Sequence, residues 1–281
     1  MSTYVSSSPA AHDGQTACIS KQIWDGTVPL SISIPAHSTN FYVLARRCSY
    51  LPLLLIQVKS YLCDKLKLSI KVDDAEIWFS ANGIPLKWHY PIGLLFDIYS
   101  LSTQKSKPIQ LPWNIAMHYT DFPSDSLITM DEEGCGPNTL RDHFMGMIKQ
   151  ADYMRNGSIS RVMTLSTQDQ TQLWDSIGVG HHDLFWQVNS GLVSDTLPKH
   201  IPVRIYMLSN AISGIRAFTV LQDLYSPYLP DGQTEMTAGD MGLMGTLILH
   251  GVVVPPDMGL LWLSRHASYS DGFLHFVFYT D

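Results

Sequence analysis

In each of its two halves this sequence carries the same short signature in the same setting. Pro91-Ile92-Gly93-Leu94-Leu95-Phe96 is answered by Asp257-Met258-Gly259-Leu260-Leu261-Trp262. Each copy follows an apolar run and precedes a segment of period two. After the first, Trp113, Ile115, Met117 and Tyr119 alternate with Asn114, Ala116 and His118; after the second, Leu274, Phe276 and Phe278 alternate with their neighbours. Successive side chains of a strand point to opposite faces, so an alternating apolar set marks a strand with a buried face. A four-residue echo alone is also what chance recurrence produces, and the order of elements around it carries more weight.

From 21 to 121 that order reads strand, strand, helix, strand, short helix, strand. The pieces are Val28 to Ile34, Phe41 to Arg46, a helix around Leu53 to Leu66, Glu76 to Phe79, a turn or short helix over Gly93 to Tyr99, and Trp113 to Tyr119. From 197 to 281 the order recurs, with Ile201, Val203, Ile205 and Met207 in a first strand, a helix over Phe218 to Leu229, a buried strand over Leu247 to Val254, and the closing strand. Two mixed sheets, each with one crossing helix, are two ubiquitin-like (β-grasp) domains. Residues 1–20, rich in Ser and Ala, are expected to form a flexible tail before Ile23 and Trp24 anchor the chain.

Between these modules, over 122–196, the period becomes helical. Thr139 and Asp142 predict a capped helix start after the Pro137-Asn138 turn. Leu140, Phe144, Met147, Ile148, Ala151 and Met154 then share one face. A second helix holds Ile159, Val162, Met163 and later Leu173 and Trp174; a third carries Leu184, Phe185, Val188 and Leu192. The fold class is therefore α+β, two ubiquitin-like (β-grasp) domains flanking a helix-rich domain, which 281 residues accommodate at roughly 150 or fewer per domain.

Charge narrows the function. Eighteen Lys and Arg stand against 25 Asp and Glu, and no basic cluster exceeds Arg46-Arg47, so nucleic acid is not an expected partner. Only 15% of residues are charged, against roughly 25% in soluble domains, which favours broad protein-docking surfaces. Four dispersed cysteines and a polar N-terminus without an apolar signal core fit a reducing, cytoplasmic setting. Met241 to Pro256 lacks charge, but glycines and Pro255-Pro256 break it well short of the about 20 apolar residues a membrane span needs.

Enzyme motifs are missing: no phosphate loop, no dinucleotide fingerprint, no H-E-x-x-H and no nucleophile elbow occurs, and no cofactor or metal site is expected. Gly239, Gly242 and Gly245 have the spacing of a loop, not of a nucleotide cradle. His181-His182-Asp183 reads as an exposed helix start, since adjacent helical residues point about 100° apart. Cys135 between Gly134 and Gly136 is the best nucleophile candidate, which would make a cysteine hydrolase of ubiquitin-like conjugates, although no base is tied to it. Lys149 stands apart. It lies opposite Leu140 on the polar face of its helix, with Gly146 one turn before it leaving room for a large electrophile and Asp152 placed for an exposed ion pair. It is the only lysine between Lys107 and Lys199. An exposed helical lysine is most often merely solvated, and pattern alone leaves that reading open. The terminus Phe278-Tyr279-Thr280-Asp281 lacks the glycine through which ubiquitin-like modifiers are activated, so the reading is acceptor or docking platform, not donor.

Several runs resemble the autophagy protein five family. The most specific are Glu76-Ile77-Trp78-Phe79 and Gly83-Ile84-Pro85-Leu86-Lys87-Trp88-His89-Tyr90-Pro91-Ile92-Gly93-Leu94-Leu95-Phe96-Asp97, with Leu111-Pro112-Trp113-Asn114-Ile115. His143-Phe144-Met145, Lys149-Gln150-Ala151-Asp152 and Gln172-Leu173-Trp174 follow in the middle. Ile201-Pro202-Val203-Arg204-Ile205-Tyr206, Ile248-Leu249-His250-Gly251, Leu261-Trp262-Leu263-Ser264 and Gly272-Phe273-Leu274-His275 close the series. The resemblance implies an acceptor lysine, here Lys149, joined by an isopeptide bond to the ubiquitin-like autophagy protein twelve. It further implies a complex with the coiled-coil autophagy protein sixteen that promotes transfer of autophagy protein eight from its conjugating enzyme to phosphatidylethanolamine. The setting it implies is cytoplasmic and peripheral to the forming autophagosome membrane, and the chain itself contributes no catalytic side chain. The family also includes scaffolds that bind their partner non-covalently. Gln150 stands where some relatives carry an acid, and the Cys135 loop and Thr237 to Met244 have no clear counterparts. Trp24 is a candidate for an apolar partner groove or for the core.

Overall fold

A computed structural model describes residues 18–34, 38–66, 76–103, 110–128, 136–193, 197–208, 218–230, 232 and 234–279. A helix over 18–25 (α1) leads into β1, Thr27–Ile34, and β2, Thr39–Arg46. The alternation of Val28, Leu30, Ile32 and Ile34 puts four apolar side chains on one face of β1, where the helix α2, Leu55–Leu66, covers them with Leu55, Val58 and Leu62. Strands β3 (Trp78–Ala81), β4 (Ile84–Pro85) and β5 (Trp113–His118) complete a five-stranded sheet of order β2-β1-β5-β3-β4. β1 pairs antiparallel with β2 and parallel with β5, Leu30 opposite Trp113. The first signature opens α3, Ile92–Thr103, a full twelve-residue helix where a turn or short one over Gly93 to Tyr99 is predicted.

The middle of the chain forms α4 (Gly136–Asn156), α5 (Ser160–Met163), α6 (Thr167–Val179) and α7 (His182–Leu192). What reads as one second helix is two. The predicted cap at Thr139 lies inside α4, which starts three residues earlier, while a true capping box joins Ser166 to Asp169 at the start of α6. Cys135 lies outside the described residues, as do residues 1–17.

The second module repeats the order of the first. Strands β6 (Ile201–Leu208), β7 (Phe218–Tyr225), β8 (Thr246–Leu249), β9 (Val252–Val253) and β10 (Leu274–Tyr279) form a sheet of order β7-β6-β10-β8-β9. Here the predicted helix over Phe218 to Leu229 is wrong: β7 pairs with β6 from Ile201 opposite Tyr225 to Leu208 opposite Phe218. An eight-residue ladder outweighs a local period that fits either structure, and Thr219 and Val220 are β-branched. Among the described residues, the crossing-helix position between β7 and β8 holds only the 3-10 turn Gly239–Met241. The predicted buried strand over Leu247 to Val254 is a hairpin turning at His250 and Gly251, with Val252 and Val253 exposed. The second signature opens α8, Leu260–His266. Both signature glycines sit in tight contacts: a Cβ on Gly93 would stand 2.8 Å from the Arg47 side chain, and one on Gly259 would stand 2.3 Å from Glu235. The two helices thus hold corresponding places, one glycine packed on Arg47 and the other facing the end of the Glu235 side chain.

Candidate acceptor site

The apolar face of α4 is divided between two neighbours. Leu140, Phe144 and Ile148 enter the bundle core with Leu173, Ile177 and Phe185, whereas Met147, Ala151 and Met154 close on Phe273 of the second module. Trp24, a groove candidate by sequence, also belongs to the bundle core: it is 5% exposed, lies 4.6 Å from Phe185 between ring centres, and donates from Nε1 to the Gly180 carbonyl. A residue that α1 delivers from a distant part of the chain has no local signature of burial.

Polar contacts hold the same helix. Arg204 on β6 donates to Gln150 Oε1 at 2.9 Å while its guanidinium lies 4.7 Å from the centre of the Phe273 ring. Arg155 donates to the Gly272 carbonyl, and burial pushes its guanidinium down to about 10, with Asp271 and Asp152 opposing. The expected exposed pair between Asp152 and Lys149 is not formed. Asp152 is buried and brackets the next turn, its Oδ1 accepting from Asn156 at 2.7 Å and its Oδ2 from the Val162 amide at 3.3 Å.

What α4 leaves uncovered is one strip. Asp142, Gly146 and Tyr153 are exposed, and Lys149 in the same strip is half-buried where full exposure is predicted from the helical wheel. The Lys149 side chain makes no hydrogen bond or ion pair with another described residue. Gly146 is open: a Cβ there would meet nothing within 4 Å. Beside this strip His143 and His89 face each other at 4.9 Å, with Trp88 against His143. Burial, then His143, Lys87 and Arg204, holds His89 down at about 3, and burial followed by Arg204 also lowers His143. Both rings are therefore neutral near pH 7.

A second polar cluster joins the first module to the second, where Gly251 lies against Arg47 and Asp97. Arg47 bonds both Asp97 oxygens, at 2.5 and 2.6 Å, and reaches the Gly93 carbonyl at 3.2 Å. Burial pushes the Asp97 carboxyl up while Arg47 pulls against it. Ser270 of the second module donates to the Cys48 carbonyl of the first. Asp271 accepts from the Phe273 amide and meets His275 at 2.8 Å, and His275 meets the Tyr206 hydroxyl at 2.9 Å. Burial works to raise Asp271, yet His275 and the Phe273 amide hold it below the ordinary carboxylate value. Sequence reasoning missed this cluster, because its members lie far apart in the chain. The one available signal was the presence of Arg and Asp beside core residues in a sequence with few charges.

His181 and His182 stand where the helix-start reading puts them. His181 caps α7 by accepting from the Leu184 amide, and His182 pairs with Asp183 at 2.8 Å. Among the described residues no cluster of three metal-ligating side chains occurs, and no helix is long and apolar enough to cross a membrane.

Two ubiquitin-fold modules and a helical bundle, with the second sheet packed on α4 and the first module meeting α4 through Leu51–Leu54, define the class, a two-module ubiquitin-fold protein. Family models for autophagy protein ATG5 match in order: the UblA domain over 23–119, the alpha-helical bundle region over 137–195 and the UblB domain over 200–278. Autophagy protein 5 of Drosophila melanogaster is 30% identical, covering 94% of this chain and 97% of its own. That of Phaeosphaeria nodorum is also 30% identical, covering 92% and 96%. The crystal structure of Kluyveromyces marxianus Atg5 superposes with a TM-score of 0.72 at 25% identity, over 92% of this chain and 98% of that one. The chain belongs to the autophagy protein 5 family, and its role is in autophagy.

Proposed function

We propose that this chain is a non-catalytic scaffold that accepts the ubiquitin-like autophagy protein twelve on Lys149. The reading is carried by one observation: the strip of α4 left open between two clamped faces holds a lysine without an ion-pair partner among the described residues. Attack by the neutral Nζ on the thioester carbonyl carbon forms the isopeptide C–N bond and breaks the C–S bond. The enzyme's sulfur leaves with the bonding pair, and the amine proton passes to it or to a base of the conjugating enzyme. The attack requires the neutral amine, so the enzyme must promote loss of its proton.

Joined to protein twelve and bound to the coiled-coil protein sixteen, the chain acts by placement. It brings the conjugating enzyme for protein eight to phosphatidylethanolamine at the autophagosome membrane, where it is a peripheral component of cytoplasmic origin. Proximity of this kind lowers a barrier by several kcal/mol without a side chain of its own taking part, up to about 7–11 in ideal intramolecular cases. The test is intact-mass measurement on wild type and Lys149→Arg, each co-expressed with protein twelve and its enzymes. A mass gain by wild type alone is expected. Co-purification with no mass gain in either would replace the covalent scaffold by a non-covalent one, and absence of both would refute the reading.

A further inference from the structure

Gly146 is the central residue of the 21-residue helix α4. Glycine there is costly, since it leaves the helix backbone with more freedom to lose than alanine does. Among the described residues no contact explains it, because a Cβ would meet nothing within 4 Å. Gly178 and Gly191 have equally open surroundings, but each lies in the last turn of its helix, where fraying makes glycine cheap. Gly146 also has a particular address. It lies one turn before Lys149, in the exposed strip between Asp142 and Tyr153, on a helix held against movement by Arg204, Arg155 and Asp152. A helix position that is costly, exposed and free of internal contacts is suited to close approach by another backbone.

We infer that Gly146 is a specificity-determining gap, over which the extended, glycine-ended tail of the ubiquitin-like partner runs to bring its terminal carbonyl to Lys149. The inference rests on the acceptor reading of Lys149. An extended tail ending in glycine is narrow and carries its own backbone amides. Laid along the strip from its Asp142 end, it reaches Lys149 by crossing the position one turn before it, and Asp142 stands one turn further back as an acceptor for a tail amide. A side chain at 146 would lift the tail off the helix and move its carbonyl away from Nζ. Misplacement of a reacting carbon by about 1 Å is enough to slow such a step by about a hundredfold.

Stability and reactivity are then expected to move in opposite directions, which a structural role for Gly146 would not do. The experiment compares full-length wild type, Gly146→Ala, Gly146→Leu and Lys149→Arg by thermal melting and by single-turnover discharge of the preformed conjugating-enzyme thioester of protein twelve. Both Gly146 variants are expected to melt at or above the wild-type temperature. Gly146→Leu is expected to conjugate about tenfold more slowly or worse, with Gly146→Ala between it and wild type. Gly146→Leu discharging at the wild-type rate, or losing rate only in step with its melting temperature, overturns the inference. Lys149→Arg separates the two claims: an adduct that survives this change refutes the acceptor reading itself. If wild type forms no adduct, affinity for protein twelve is read instead, and a Gly146→Leu affinity equal to wild type overturns the gap.

Discussion

The two modules share a strand order but not a relation to water. In the first, the central strand β5 buries Trp113, Ile115 and Met117 while Asn114 is exposed. In the second, β10 occupies the same place, and every residue from Leu274 to Phe278 is buried. The difference lies in the neighbours. The first sheet keeps one face partly wet, whereas the second is packed by α8 and also contacted by α3 and α4 from outside the module. Among the described residues the second module has no crossing helix of its own, and Leu94, Ile98 and Leu101 of α3 join its core instead. A module that borrows its packing cannot move independently of what it borrows from. The second sheet therefore serves as the bed on which the helix of Lys149 is fixed.

Equivalent substitutions at β5 and β10 should expose that difference most strongly. Val277→Lys, on the second face of β10, is expected to cost more than about 4 kcal/mol and to leave little folded protein by circular dichroism. Next in size, Arg47→Ala strands the buried Asp97 carboxylate between the modules, and urea unfolding should show a loss of about 3–5 kcal/mol. A smaller loss would mean that water reaches Asp97 and that the modules are less firmly joined.

The pH dependence follows from His250, which stacks on Tyr269 at 4.0 Å and meets the Ala267 carbonyl at 2.8 Å. Burial holds its imidazole down at about 3. The unfolded chain takes up this proton near pH 6.5 and the folded chain does not, so stability is full above that value and falls as the pH drops. By pH 5 this group alone should cost about 2 kcal/mol, and His250→Asn should remove that share of the slope. Smaller again, Ser166→Ala removes the capping box of α6, and about 1 kcal/mol should be lost in thermal melts. Asn114→Lys on the wet face of β5 should change stability by no more than about 0.5 kcal/mol. A large effect there would show that something covers the first sheet as α3 and α4 cover the second.

Strand alternation made both sheets legible, because period two is a local property of Val28 to Ile34 or of Ile201 to Met207. The Gly-Leu-Leu-aromatic echo was legible for a related reason: Gly93 and Gly259 stand at the heads of corresponding helices, Gly93 against Arg47 and Gly259 against Glu235. Lys149 and Gly146 could be placed on the outer face of α4 from the helical period alone. What stayed hidden depends on partners far away in the chain. Phe218 to Tyr225 fits either period, and only β6 decides it. Asp152 reads as exposed until α5 folds back over it, and Trp24 fits a groove or the core until α6 and α7 close around it. The split of the α4 apolar face between two neighbours has no signature in the sequence at all.

The acceptor itself is tested most directly by digesting denatured wild-type conjugate and sequencing the branched peptide by mass spectrometry. The account predicts one branch point, at Lys149, carrying the C-terminal residues of protein twelve. A branch at any other of the ten lysines would contradict it, and so would an adduct of unchanged yield on Lys149→Arg.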